Sequence, residues 1–498
     1  MENLIQIAEP SASRARQRTS QTSALPHANG RDHGAKNGKK VGWISLGCPK
    51  NLVDSEGMLG DLDAAGYAFT TDIAEADAIV VNTCGFIDAA REESLSALRG
   101  ALGANRHGRD RRVIAVGCLA QRHGEGLFSE VEGLDAVVGM GRQSDLPDVL
   151  DGALGLSSDR EADASAGLGS RQARVFSPTH YFPRPDQRIR LTQPWTSYVK
   201  ISDGCDNPCT FCSIPLMRGA LRSRPVNEIE AEVRFLAGQG VQEIVLIAQD
   251  STHYGSDLEG EDIASLLRRL ALVDGPRWIR LMYAYPTRVN DRLIEAIASE
   301  PRICKYIDMP LQHASDPVLA AMKRPGTSAS YLRLIDRLRV ACPDLTIRTT
   351  MIIGFPGETD EDFEHLLAFV DQAQFDRLGA FRYSAEPGTP AADYPGAPSK
   401  RTVERRYERI MRLQQRISLD RNRRWIGRTI PVLVESRRSD GMLVCRSQRD
   451  APEIDGVVLV PGESRPGDPV VRPGEFIDVA ISGAATYDLF GDHLIHST

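Results

Sequence analysis

The run Tyr198-Val-Lys-Ile, followed shortly by Cys205-Asp-Asn-Pro-Cys209-Thr-Phe-Cys212, decides how the middle of this chain folds and what it holds. Three thiols stand three and then two residues apart in one loop, immediately after an apolar strand. Three close thiolates suit the corners of an iron–sulfur cube. A cube held by only three protein ligands keeps one iron open to a substrate or cofactor. Zinc is the rival occupant, but it wants a fourth Cys or His, and this loop offers none.

Downstream, apolar runs alternate with helical stretches: Glu243-Ile-Val-Leu-Ile, Trp278-Ile-Arg-Leu-Met, Tyr306-Ile-Asp-Met, Thr346-Ile-Arg-Thr-Thr-Met-Ile-Ile and Leu378-Gly-Ala-Phe-Arg-Tyr. Together with the first strand they predict an α/β fold with a partial (βα)6 barrel over residues 191–428. Barrels carry their ligands at the C-terminal strand ends. Gln249-Asp250-Ser251, Gln312-His313 and Gly354-Phe-Pro-Gly357-Glu358 are therefore candidate cofactor or substrate contacts. The structural alternatives are plain tight turns at the glycines and a hydrogen-bonded rim histidine at His313.

Arg401–Arg428 is a long helical stretch with ten Arg against three acids. It reads either as a weak RNA contact or as a surface helix whose Glu404 and Glu408 pair with Arg three or four residues along. From Thr429 the runs become β-rich and are punctuated by Gly and Pro, so residues 429–498 predict a small β-barrel. That module holds six Arg, no Lys and eleven Asp plus Glu. An RNA-gripping surface should be basic; an acidic one suits a basic protein partner, with Asp455, Asp478 and Asp488 as examples.

Upstream, Val41-Gly-Trp-Ile-Ser-Leu, Ala78-Ile-Val-Val and Val113-Ile-Ala-Val alternate with helical stretches, which predicts an open α/β sheet over residues 39–150. Cys48, Cys84 and Cys118 each end one of these strands, at separations of 36 and 34 residues. Strand ends of a parallel sheet line one edge, where ligands of such sheets bind, so the three thiols should converge. Cys304, Cys342 and Cys445 have no such pattern and read as core or surface thiols. Residues 151–190, poor in large apolar residues, read as a linker, and residues 1–38 as a disordered arm.

The chain has 498 residues, 41% of them hydrophobic and 26% charged, enough for two or three cores. No apolar run is long enough to cross a bilayer, and Met1–Pro10 has no secretory signal character. A soluble, cytoplasmic protein with no membrane partner is expected. Nine cysteines there are an unsuitable disulfide framework, which favours cluster ligation.

The central loop, with Phe211 before the last Cys, resembles the radical S-adenosylmethionine enzymes. With the upstream cysteine set and the terminal β-barrel, residues 39–493 resemble the methylthiotransferases of that superfamily, whose terminal module is called TRAM. The resemblance implies two [4Fe-4S] clusters, an auxiliary one on Cys48, Cys84 and Cys118 and a radical one on Cys205, Cys209 and Cys212. It implies S-adenosyl-L-methionine in two roles, as methyl donor and as radical source. It further implies that methyl goes first to a sulfur on the auxiliary cluster, that a deoxyadenosyl radical then takes hydrogen from an unactivated carbon, which acquires the methylthio group, and that an external electron donor is required.

Ser45-Leu-Gly-Cys-Pro-Lys-Asn51, Phe211-Cys-Ser-Ile-Pro-Leu-Met-Arg218-Gly219, Tyr306-Ile-Asp-Met-Pro-Leu-Gln-His313 and Tyr487-Asp-Leu-Phe-Gly491 resemble the branch that modifies the β-carbon of an aspartate in small-subunit ribosomal protein S-twelve, free or assembled. The alternatives are the branch that modifies adenosine beside the anticodon of transfer RNA, and a non-catalytic iron–sulfur or zinc factor of ribosome assembly.

Overall fold

The protein is described by a computed structural model, which covers residues 38–103, 111–156, 171–462 and 470–494. Nearly all of the expected N-terminal arm lies outside these residues. The first sheet is wholly parallel. Its strands β1 (Lys40–Ser45), β2 (Ala68–Thr70), β3 (Ala78–Thr83), β4 (Arg112–Gly117), β5 (Ala136–Val138) and β6 (Gln172–Arg174) run in the order β2-β1-β3-β4-β5-β6. Every residue of β3 is buried, as a strand covered on both faces must be. Alternate residues serve opposite faces: Ile79, Val81, Val113 and Ala115 pack on Leu95 and Leu98, while Val80, Ile114 and Val116 pack with Met58 and Leu62 of the helix Pro49–Ala64.

The expected linker is partly wrong. Gln172–Arg174 is the edge strand β6, paired with β5, and the chain after it straps the helix Pro49–Ala64. Tyr181 donates its hydroxyl to Asp61 at 2.7 Å, and the Ile189 amide bonds the Glu56 carbonyl at 3.1 Å. A three-residue polar edge strand and a strap held by polar contacts leave no apolar period in the sequence. Residues 157–170 of the same stretch lie outside the described ones.

The strap lies so close that a Cβ on Gly60 would run into the Gln187 carbonyl. Gly→Ala inside a helix ordinarily stabilises by about 1 kcal/mol. Here Gly60→Ala is expected to lower the thermal transition instead, as read by differential scanning calorimetry; a raised transition would mean the strap does not press on this helix.

The central unit begins with β7 (Thr196–Lys200), followed by a ribbon of β8 (Ser202–Asp203) with β9 (Arg222–Ser223). Then come β10 (Glu243–Ile247), β11 (Trp278–Leu281), β12 (Tyr306–Asp308), β13 (Thr346–Ile353) and β14 (Arg377–Arg382). β7, β10 and β11 form one parallel triplet and β12, β13 and β14 another; an Ile279–Ile303 bridge joins them. Among the described residues β14 does not pair with β7, so the barrel is partial, as expected. Tyr198, Val245, Ile247, Trp278 and Tyr306 share one apolar cluster with Val53 of the first unit and with Leu433 and Ala451 from near the C-terminus. Side chains from both neighbours thus plug the space between the strands.

The C-terminal strands β15 (Thr429–Arg437), β16 (Leu443–Ser447), β17 (Val458–Val460), β18 (Phe476–Ala484) and β19 (Leu489–His493) close into the expected barrel, ordered β15-β16-β17-β19-β18. It docks on the starting ends of the central strands. Phe476 meets Trp278 edge-on at 4.7 Å, Tyr306 donates to Asp455 at 2.7 Å, Arg377 pairs with Asp450 at 2.9 Å, and Arg446 and Arg280 share buried Glu243. The opposite, C-terminal ends are left for the cysteines.

Burial alone would raise the carboxyls of Glu243 and Asp450, but Arg446 and Arg280, and Arg377, hold them below the usual carboxylate range. A depressed carboxylate contributes stability that is present above its unfolded pKa of about 4 and is lost as pH falls through the folded value. Docking is therefore expected to be insensitive to pH from about 7 to 5 and to fail below about 4. Limited proteolysis across a pH series, with an acid-stable protease at the low end, checks this.

Candidate active site between two thiol triads

Cys48 precedes the helix Pro49–Ala64, Cys84 follows β3, and Cys118 opens the helix Cys118–His123 directly after β4. Because β1, β3 and β4 are neighbours, the three thiols meet at one edge, as their strand-end positions imply. Gly47, at φ +90°, gives the turn its left-handed bend, and a Cβ there would stand 3.1 Å from the Cys84 Sγ. Asn51 ties the three strand ends together. Its amide donates to Leu46 O at 3.2 Å and Thr83 O at 2.9 Å, and its Oδ1 lies 3.4 Å from Cys118 Sγ.

The second triad sits on the loop leaving β8, at the C-terminal mouth of the central barrel. The Cys205 amide bonds Gly219 O at 3.1 Å and the Thr210 amide bonds Met322 O at 3.1 Å, pinning both ends of the loop. Asn207 reaches Asp250 at 2.9 Å and Cys205 Sγ at 3.4 Å, while Arg288 grips Asp250 at 2.8 Å. Arg324 directs Nη1 at Cys209 Sγ from 3.8 Å. A cavity of about 440 Å³ beside the loop is lined by Asn207, Pro208, Tyr285, Arg288, Lys323 and Arg324.

The two triads are joined by a buried polar network. Arg218, at the end of the helix Ile214–Arg218 that follows Cys212, donates to Asn51 Oδ1 and Asp54 Oδ2, each at 2.8 Å, and to Asp203 at 3.1 Å. It also lies 3.7 Å from Cys118 Sγ. Lys200 bridges Asp54 at 2.6 Å and Asp203 at 3.1 Å, and Gln249 donates to Asp203 at 2.9 Å. Burial alone would raise the Asp203 carboxyl, but Lys200 and Arg218 hold it well below the carboxylate range.

All six thiols are free of disulfides. Burial pushes Cys84 and Cys212 up to about 12 and Cys118 up to about 11, so each remains a thiol until a metal displaces its proton. Among the described residues no three His, Cys, Asp or Glu side chains are gathered to hold a single metal ion. Soft sulfur donors in two sets of three, each with a buried arginine turned toward one sulfur, fit iron–sulfur cubes, whose corners stand farther apart than the ligands of one ion.

The other sequence candidates divide. Gln249 and Asp250 support the site as just described. His313 is buried, accepts the Ser315 amide at 3.0 Å and lies 3.7 Å from Glu358, while Glu358 holds the Gly354 amide and Arg406, both at 2.7 Å. These last residues brace the turn against the helix Lys400–Arg423. Cys304, Cys342 and Cys445 are all buried in apolar clusters. Asp54, Lys200 and Asp203 gave no functional signal in sequence, and Arg218 gave one only as a member of a branch motif, with no hint of its partners.

Family models match along the chain: "Uncharacterized protein family UPF0004" over residues 40–139, "Radical SAM superfamily" over 199–370 and "TRAM domain" over 426–494. Among solved structures, the radical S-adenosylmethionine methyltransferase TsrM from Kitasatospora setae is similar in fold, with a TM-score of 0.52 at 15% identity over 87% of this chain and 82% of that one. Ribosomal protein uS12 methylthiotransferase RimO of Geobacter sulfurreducens is 45% identical over 91% of this chain and 98% of its own. The RimO of Desulforamulus reducens is 46% identical over 91% of this chain and 99% of its own. With 45–46% identity held over 91% of its length, the chain belongs to the RimO family of radical S-adenosylmethionine methylthiotransferases.

Proposed function

We propose that this protein transfers a methylthio group to the β-carbon of an aspartate in ribosomal protein uS12. The observation that carries the reading is the opposition of two thiol triads at the strand ends of two α/β units, locked together through Arg218. Cys205, Cys209 and Cys212 would hold the radical [4Fe-4S] cluster, and Cys48, Cys84 and Cys118 the auxiliary one, within units bounded near residues 39, 191 and 429. When bound, the clusters with S-adenosylmethionine supply the radical and the sulfur-transfer chemistry.

The chain supplies orientation and dryness. Asn51 fixes the three strand ends of the first triad, Asp250 and Asn207 fix the loop of the second, and Leu52 and Val53 close the barrel mouth beneath them. Electrons come from an external donor, and the setting is cytoplasmic; among the described residues no helix is long and apolar enough to cross a membrane.

Weak RNA contact through Arg401–Arg428 receives no support. Arg406, Arg409, Arg416 and Arg421 pair with Glu358, Glu364, Asp371 and Asp376. Glu408 takes Arg412 as expected, whereas Glu404 pairs across to Arg382. The C-terminal module also offers less acidic surface than its composition suggests, since Asp455 faces inward to Tyr306 and Arg348, and Asp488 holds the Val457 amide at 2.9 Å.

The test is mass spectrometry after anaerobic incubation of reconstituted enzyme, S-adenosylmethionine and reductant with a uS12 peptide and with unmodified transfer RNA. Methylthio gain on the peptide is expected. Gain on the RNA alone would overturn the substrate assignment.

A further inference from the structure

Lys50 stands two residues beyond Cys48, on the first turn of the helix Pro49–Ala64, and its side chain leaves the first unit to enter the mouth of the central barrel. Its Nζ donates to Ala248 O, just past the end of β10, at 3.0 Å. It also lies 3.3 Å above the ring of Tyr283, past the end of β11. Lys50 is only 8% exposed, and among the described residues no carboxylate lies within ion-pair distance of it. The neighbouring buried cations contrast with it: Lys200 and Arg218 each bind two carboxylates.

A carbonyl oxygen and a ring face use part of what an ammonium can bind, and a buried N–H donor left without an acceptor is costly. The remaining donors are free for one further acceptor, of which a carboxylate is the strongest. Tyr283 adds a second, independent sign: its φ is +61°, a left-handed conformation that a bulky residue rarely adopts and that costs about 1–3 kcal/mol. Strain of this size is kept where it sets a ligand contact. Cys48 and Tyr283 beside the ammonium remain partly open.

We propose that the Lys50 ammonium, at the barrel mouth between the two thiol triads, receives the side-chain carboxylate of the target aspartate and so makes the enzyme selective for an acidic residue. The role rests on the function proposed above and extends it. A carboxylate held at Lys50 leaves its own CH2 group as the nearest carbon facing the space between the triads. No proton or electron passes through the lysine; it binds and orients.

The experiment compares two uS12 peptides, one with the target Asp and one with Asn in its place, against reconstituted full-length wild type, Lys50→Met and Lys50→Arg. Binding is read by anisotropy and turnover by mass spectrometry; paramagnetic resonance verifies that both clusters are loaded in each variant. Wild type is expected to prefer the Asp peptide by at least about tenfold, as a charge-assisted hydrogen bond gives. Lys50→Met should bind both peptides alike, and Lys50→Arg should recover part of the preference. An unchanged Asp-over-Asn ratio in Lys50→Met would overturn the role. So would a variant that weakens S-adenosylmethionine binding while keeping the ratio, which would assign the ammonium to the cofactor. Failure of wild type to bind or modify the Asp peptide would instead sink the function itself, and this role with it.

Discussion

Cys209→Ala is expected to abolish reductive cleavage of S-adenosylmethionine, whereas Cys84→Ala is expected to keep cleavage and lose methylthio transfer. The division follows from where the thiols stand. Cys209 is the middle member of the barrel-mouth triad, beside Arg324, and its loss would leave two of the three proposed ligands that present an open iron. Cys84 belongs to the other sheet, its backbone clamped by Ser94 through bonds of 2.9 and 2.8 Å, and no bond in that clamp involves the barrel loop. Production of 5′-deoxyadenosine and of modified peptide, measured on the same anaerobic sample, separates the two. Equal loss of both products in Cys84→Ala would contradict the two-site arrangement.

Arg218→Met should be the most damaging change outside the cysteines. It leaves Asp54 and Asp203 buried with Lys200 as their remaining cation, and removing one partner of such a buried set costs about 3–5 kcal/mol. The network spans both units, so the loss falls on their mutual placement, and a misplacement of about 1 Å is enough to cost about a hundredfold in rate. Transfer is therefore expected to fall about a hundredfold, with a lowered thermal transition. Arg218→Lys keeps the charge but not the fork that serves Asn51, Asp54 and Asp203 together, so it should rescue stability only in part. An unaltered transition and undiminished transfer in Arg218→Met would show that the network does not position the triads.

Six cysteines were legible in the sequence because their signal is local. Spacing within one loop marks Cys205, Cys209 and Cys212, and the end of an apolar strand marks each of Cys48, Cys84 and Cys118. The barrel was legible for the same reason, since a fully buried parallel strand such as β10 is an unbroken apolar run. What joins the units was not legible. Arg218 and Asp54 are 164 residues apart, and nothing about an arginine at a helix end or an aspartate within a helix announces a partner at that distance. The same holds for Asp455, which counts as surface charge in composition but is an inward contact in the fold. Residues 171–190 misled in the other direction, because polar side chains that strap a helix resemble those of a linker.

In the proposed function, a radical formed at the barrel-mouth triad takes hydrogen from the aspartate carbon that receives sulfur at the other triad. A uS12 peptide carrying deuterium on the β-carbon of its target aspartate reports that transfer. The expected result is deuterium in the recovered 5′-deoxyadenosine, matched by its loss from the methylthiolated peptide. Methylthiolated peptide accompanied by deuterium-free 5′-deoxyadenosine would exclude hydrogen abstraction from that carbon by the deoxyadenosyl radical.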